Sequence, residues 1–161
     1  MIEELAALGA RAGAALKQRK QTIAVADGAT GGLISAGLLT VPGATGFYLG
    51  GGVIYSLKGR DILLGLGADE LKGMKSVTER YALLQARAIR DRFGGDWGVA
   101  ESGSAGPSHP AGVPAGMSWI AVAGPGIAIA RLIETGQEDR LANMQAFAMA
   151  ALLLLNEALG A

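Results

Sequence analysis

The sequence predicts a three-layer α/β/α domain on a mostly parallel mixed sheet with at least one antiparallel strand. Three observations carry this: strand-length apolar runs alternate with segments of helical period, a glycine turn joins the first strand to a helix, and two late strands meet at Gly124-Pro125-Gly126. The 161 residues, 50% apolar and 17% charged, suffice for one hydrophobic core and lie far from the composition of disordered chains. One domain over 1–161 is expected.

Ile2, Leu5, Leu8, Ala12 and Leu16 recur every three or four residues, which predicts an amphipathic helix from Ile2 to Lys20. A strand over Thr22 to Ala26 follows, then the tight turn Asp27-Gly28-Ala29-Thr30-Gly31-Gly32, then a helix over Leu33 to Leu39 that Val41-Pro42-Gly43 stops. Gly46 to Tyr55 reads as a strand whose glycines admit close approach, and Arg60 to Leu66 as a short helical piece. Thr78 caps a helix with Ala82, Ala86, Ile89 and Phe93 on its apolar face, ended by Gly94-Gly95. Asp96 to Ala100 reads as a strand and Ser102 to Gly116, rich in Gly, Pro and Ser, as a loop. Strands over Met117 to Ala123 and Ile127 to Ile133 form the hairpin. A final helix over Asp139 to Leu159 carries a buried stripe at Leu141, Met144, Ala148, Ala151 and Leu155.

Fourteen basic residues offset fourteen acidic ones, so no net field draws the protein to nucleic acid or an anionic membrane. Lys17, Arg19 and Lys20 suit the negative pole of the first helix. The absence of cysteine removes disulfides and thiolate metal sites, and agrees with a reducing, cytoplasmic home. Neither a metal nor a cofactor is expected. Acids at Glu3 and Glu4 stand where a secretory signal would be basic, and the helix beginning beside Met1 reads as a domain that stands alone. Ala146 to Leu155 is about half of the roughly 20 residues that cross a bilayer, hence a buried helix and no membrane partner. His109, the single histidine, lies between Ser108 and Pro110 with no nucleophile partner evident, so a solvated loop residue is expected. Trp97, Trp119, Phe47 and Phe93 are assigned to packing.

In such sheets ligands bind at loops beyond the carboxyl ends of strands. The Asp27 to Gly32 turn enters a helix there, so its N–H groups and the helix dipole could meet a phosphate, with the Thr30 hydroxyl beside them; a cap at Thr30 is the plainer alternative.

Taken in order, Ala26 to Gly32, Gly51-Gly52-Val53-Ile54-Tyr55-Ser56, Ser76-Val77-Thr78-Glu79, Ser102-Gly103-Ser104-Ala105-Gly106-Pro107 and Asp139-Arg140 resemble the CinA carboxy-terminal domain family, also known as PncC. The resemblance runs from about Thr22 to the last helix. It implies nicotinamide-nucleotide amidohydrolase ancestry: hydrolysis of the carboxamide of nicotinamide mononucleotide to nicotinic acid mononucleotide and ammonia, in pyridine nucleotide salvage. It also implies ligand contacts at Asp27, Gly28, Ala29, Gly31, Gly32, Ser102, Gly103 and Gly106, and candidate catalytic roles for Thr30, Tyr55 and Arg60.

Two departures stand out. Where the family reads Glu-Ser-Cys-Thr-Gly-Gly, the serine taken as nucleophile is Gly28; where it reads Tyr-Ser-Asn-Glu-Ala-Lys, the activating lysine is Arg60. A guanidinium, with a pKa above about 12, cannot act as a base near neutrality. Three readings follow. The chain is an amidohydrolase using Thr30 or a water activated by Asp27, with Arg60 stabilising charge; or a non-catalytic nucleotide binder; or a structural homo-oligomer whose terminal leucines make contacts.

Overall fold

The computed structural model describes residues 1–108 and 110–161; the expectation for His109 lies outside the described residues. The helices are α1 (Ile2–Arg19), α2 (Leu33–Leu39), α3 (Leu57–Leu64), α4 (Ala68–Leu71), α5 (Glu79–Phe93) and α6 (Arg140–Leu159). The strands are β1 (Ile23–Asp27), β2 (Tyr48–Val53), β3 (Trp97–Ser104), β4 (Met117–Gly124) and β5 (Ile127–Glu134).

The strands form one five-stranded sheet in the order β2-β1-β3-β4-β5. β1 pairs in parallel with β2 and β3, whereas β4 runs antiparallel to both β3 and β5. Four strands therefore point one way and β4 the other, the mixed sheet expected.

Residue size alternates along the central strands, and this sorts the two faces. Ile23, Val25, Val99, Ile120 and Val122 point to one side, where they pack with Leu5, Leu16, Leu38, Leu152 and Leu155 of α1, α2 and α6. Ala24, Ala26, Ala100, Ala121 and Ala123 point to the other and meet Ala82, Ala86 and Ile89 of α5. The second face is thin enough that a Cβ on Gly98 would lie 2.0 Å from the Ala86 carbonyl oxygen. α5 consequently lies very close to the sheet.

The helix ends follow the sequence signals. Thr78 Oγ1 accepts the Tyr81 N–H at the start of α5, and Asp139 Oδ1 accepts the Ala142 N–H at the start of α6. α6 is long and apolar enough to cross a membrane, but Phe147, Ala148, Ala151, Leu152, Leu154 and Leu155 are buried within the domain. Most leucines weighed as an oligomer surface are therefore core.

Some expectations need correction. Ser102, Gly103 and Ser104 belong to β3, because pairing with Trp119, Ser118 and Met117 extends a strand that their poor propensities do not favour. Phe93 is 41% exposed and Leu141 58% exposed, both at helix ends where the apolar stripe runs off the core. α3 starts at Leu57, three residues before the predicted start, because Ser56 Oγ caps it by accepting the Gly59 N–H at 3.0 Å.

Candidate functional site

A cleft of about 410 Å³ opens at the carboxyl ends of β1 and β3, on the side of the sheet covered by α5. The β1 end supplies Gly28 and Ala29, the segment after β2 supplies Tyr55 and Ser56, and α5 supplies Tyr81 and Gln85. The β3 end supplies Ser102, Gly103 and Ser104, and Val77 closes the wall ahead of α5. Among the described residues none that lines the cleft is charged.

Five of the predicted site residues meet there: Gly28, Ala29, Tyr55, Ser102 and Gly103. Asp27, Thr30, Gly31, Gly32, Arg60 and Gly106 are not among the lining residues. Their positions explain why.

Asp27 is 1% exposed, and its carboxylate accepts the Thr30 hydroxyl at 2.6 Å, the Ile34 N–H at 3.0 Å and the Ser35 hydroxyl at 2.7 Å. It fastens the turn to the first residues of α2. Thr30 is 0% exposed, so the expected accessible hydroxyl is instead inside the turn, committed to Asp27. Gly31 and Gly32 have φ of 65° and 105°, the left-handed geometry that lets the chain reverse into α2.

Two of the turn's N–H groups are also committed. Gly28 and Thr30 both donate to Glu101 Oε2, at 3.1 and 2.9 Å, while Glu101 Oε1 accepts the Ser118 hydroxyl at 2.8 Å. The sequence reading has these N–H groups facing a phosphate; the structure has them facing a carboxylate of the protein itself. Burial raises the Glu101 pKa above its usual range, the bonds from Thr30 and Ser118 pull it back in part, and the nearby Asp27 charge adds to the rise. A glutamate in a strand gives no sequence signal for this role. It emerges only from the register that sets Gly103 opposite Ser118.

Gly28 lies against β3 so closely that a Cβ there would fall 2.2 Å from the Glu101 carbonyl oxygen. Gly103 is equally constrained, since its Cβ would lie 2.6 Å from both Glu101 Oε1 and Ser118 Oγ. Gly106, at φ 85°, offers its carbonyl to Arg140 Nη1 at 2.8 Å. Arg140 Nη2 also donates to the Tyr55 hydroxyl at 3.0 Å, tying the rim residue Tyr55 to the loop after β3. The Asp139-Arg140 motif was the available sequence signal for that link.

Arg60 donates to Asp61 Oδ1 through Nε at 3.0 Å and Nη2 at 2.9 Å. Burial pulls its pKa down, but Asp61 and Tyr81 outweigh that and leave it raised, so Arg60 is held as a cation. It reaches the cleft through Tyr81, whose own pKa is raised by burial and only partly restored by Arg60. Val77 has φ 55°, which is strained for a β-branched residue, and its N–H donates to Ser102 Oγ at 2.9 Å. Among the described residues no group of three or more His, Asp or Glu side chains could hold a metal ion.

The fold and the cleft define a small α/β/α domain with a ligand-sized site at the strand ends. Residues 5–159 match the model of the CinA C-terminal domain, and the chain belongs to that family. It is 40% identical over 111 residues to a CinA-like protein of Prochlorococcus marinus strain MIT 9313, covering 68% of this chain and 26% of that protein. It is 36% identical over 141 residues to a CinA-like protein of Desulforapulum autotrophicum, covering 87% and 33%. The chain thus spans about a quarter to a third of these relatives' length. A CinA superfamily protein from Klebsiella pneumoniae superposes with a TM-score of 0.88 at 27% identity, over 97% of this chain and 98% of that one. A competence/damage inducible protein from Agrobacterium tumefaciens gives 0.88 at 25% identity, over 98% and 96%.

Proposed function

We propose that this CinA-family domain binds a nicotinamide-nucleotide-like small molecule in the cleft without efficient hydrolysis, as a divergent, non-catalytic homologue of the amidohydrolases it resembles. One observation carries the reading: Gly28, at the position of the resembled nucleophile, is pressed against the Glu101 carbonyl where a side chain does not fit. Supporting it, Arg60 is a fixed cation paired with Asp61, and Thr30 is enclosed by the turn. No hydroxyl on the turn is thus both exposed to the cleft and next to a base. The ligand is small, and no nucleic acid or membrane is a partner in this reading, whose setting is the cytoplasm.

The test is to incubate the protein with nicotinamide mononucleotide, follow nicotinic acid mononucleotide and ammonia, and measure unfolding temperature with and without the nucleotide. Stabilisation without turnover supports binding. Turnover well above blank would overturn the non-catalytic reading, and neither effect would remove the nucleotide altogether.

One feature favours a homo-oligomer. Ile62, Leu63 and Phe93, which line a groove beside Gly51 and Gly52 of the edge strand β2, are 41 to 62% exposed, an apolar surface that a second copy could cover. Sedimentation velocity reads this directly: a monomer at micromolar concentration would remove it.

A further inference from the structure

Ser104 is 5% exposed, lines the cleft, and carries a buried Oγ with no hydrogen-bond partner in the protein. Buried hydroxyls are ordinarily paired, since an unpaired one is destabilising. Its neighbour on the same face of β3 differs: Ser102 Oγ is taken by the Val77 N–H. The other unpaired buried oxygen among the described residues, Asn156 Oδ1, belongs to a side chain whose nitrogen is fixed on the Leu8 carbonyl, away from the cleft.

The character of the wall determines what Ser104 could meet. With no charged residue among the described ones that line the cleft, a carboxylate entering it would lose hydration without a counter-charge from the wall. A neutral oxygen would lose far less and could accept the Ser104 O–H. The wall's remaining side-chain polar groups, the Gln85 amide and the Tyr81 and Ser102 hydroxyls, are neutral and match an uncharged amide in kind.

We propose that Ser104 is a specificity-determining residue that donates its hydroxyl to the carbonyl oxygen of a carboxamide, and that the uncharged wall around it rejects the corresponding carboxylate. The proposal rests on the nucleotide-binding reading above and adds to it which end of the ligand enters and which side chain selects it.

The experiment titrates the natural protein and Ser104→Ala with nicotinamide mononucleotide and with nicotinic acid mononucleotide, beside thermal unfolding of each free protein. The natural protein should bind the amide form at least about tenfold tighter than the acid form. Ser104→Ala should weaken amide binding about five- to tenfold, the effect of one hydrogen bond. The free variant should unfold at the same or a higher temperature, because its only loss is an unpaired hydroxyl. A purely structural serine would instead lower the unfolding temperature, and Ser102→Ala, which orphans the Val77 N–H, provides that behaviour for comparison.

Equal amide affinity in both proteins overturns the Ser104 assignment and leaves the binding reading standing. Equal affinity of the natural protein for amide and acid overturns the selectivity. Failure of both nucleotides to bind the natural protein overturns the binding reading, and the proposal with it.

Discussion

The Thr30 backbone N–H donates to Glu101 Oε2 at 2.9 Å, bridging 71 positions of sequence and closing the turn after β1 onto the strand β3. With the Gly28 N–H on the same oxygen, the turn closes on a carboxyl group of the protein itself. Replacing Glu101 by alanine leaves two buried N–H groups unpaired, each costing about 1–3 kcal/mol. Urea unfolding should therefore show Glu101→Ala less stable by about 2–5 kcal/mol, and a loss under 1 kcal/mol would mean that the turn does not depend on the carboxylate.

The raised pKa of Glu101 adds a pH dependence of definite sign. Because the fold favours the protonated acid, this group's contribution is complete below its ordinary value of 4.5 and is lost as pH rises through the higher folded value. Within that window the loss is at most about 1.4 kcal/mol per pH unit. Glu101→Gln keeps an acceptor and cannot ionise, so it should gain on the natural protein as pH is raised from 4.5 toward 8. Parallel stability curves for the two proteins would contradict the shift.

Restoring a serine at Gly28 tests the close approach to β3. Overpacking commonly costs about 1–3 kcal/mol, and contact with a backbone carbonyl leaves little room for adjustment. Gly28→Ser should lose at least about 2 kcal/mol in chemical denaturation, and Gly28→Ser with Arg60→Lys should not release ammonia from nicotinamide mononucleotide. A stable, active double variant would show that the turn can move off Glu101.

Val77 stores strain at the cleft wall. Asparagine tolerates the left-handed region far better than a β-branched residue, and such strain is worth about 1–3 kcal/mol. Val77→Asn should raise the unfolding temperature of the free protein by a few degrees. A fall would show that Val77 contributes more by packing than it costs in backbone energy.

Much of the fold was legible because the alternation Ile23-Ala24-Val25-Ala26 and the caps Thr78 and Asp139 are local signals. Ser102 to Ser104 were misread because glycine and serine gain strand structure only through pairing with β4, a contact that no local pattern announces. The site divided in the same way. Gly28, Ala29, Tyr55, Ser102 and Gly103 were placed by the order of motifs. Glu101, Ser104 and Gln85 depend on register and on which face of the sheet a side chain takes. Thr30 was misjudged because a turn hydroxyl reads alike whether it points outward or toward a carboxylate three residues earlier.

The missing side chain at Gly98 sets a dimension elsewhere. Where α5 crosses β1 and β3 the sheet offers only Ala24, Ala26, Gly98 and Ala100, so nothing larger than a methyl group spaces the helix outward, and at Gly98 the height of Ala86 above β3 is fixed by backbone contact. Tyr81 and Gln85 ride on that same helix, so the depth of the cleft is gauged several residues away, where nothing touches a ligand. A family of domains could therefore retune the size of molecule it accepts by adding or removing single carbons beneath α5, leaving every residue of the cleft unchanged.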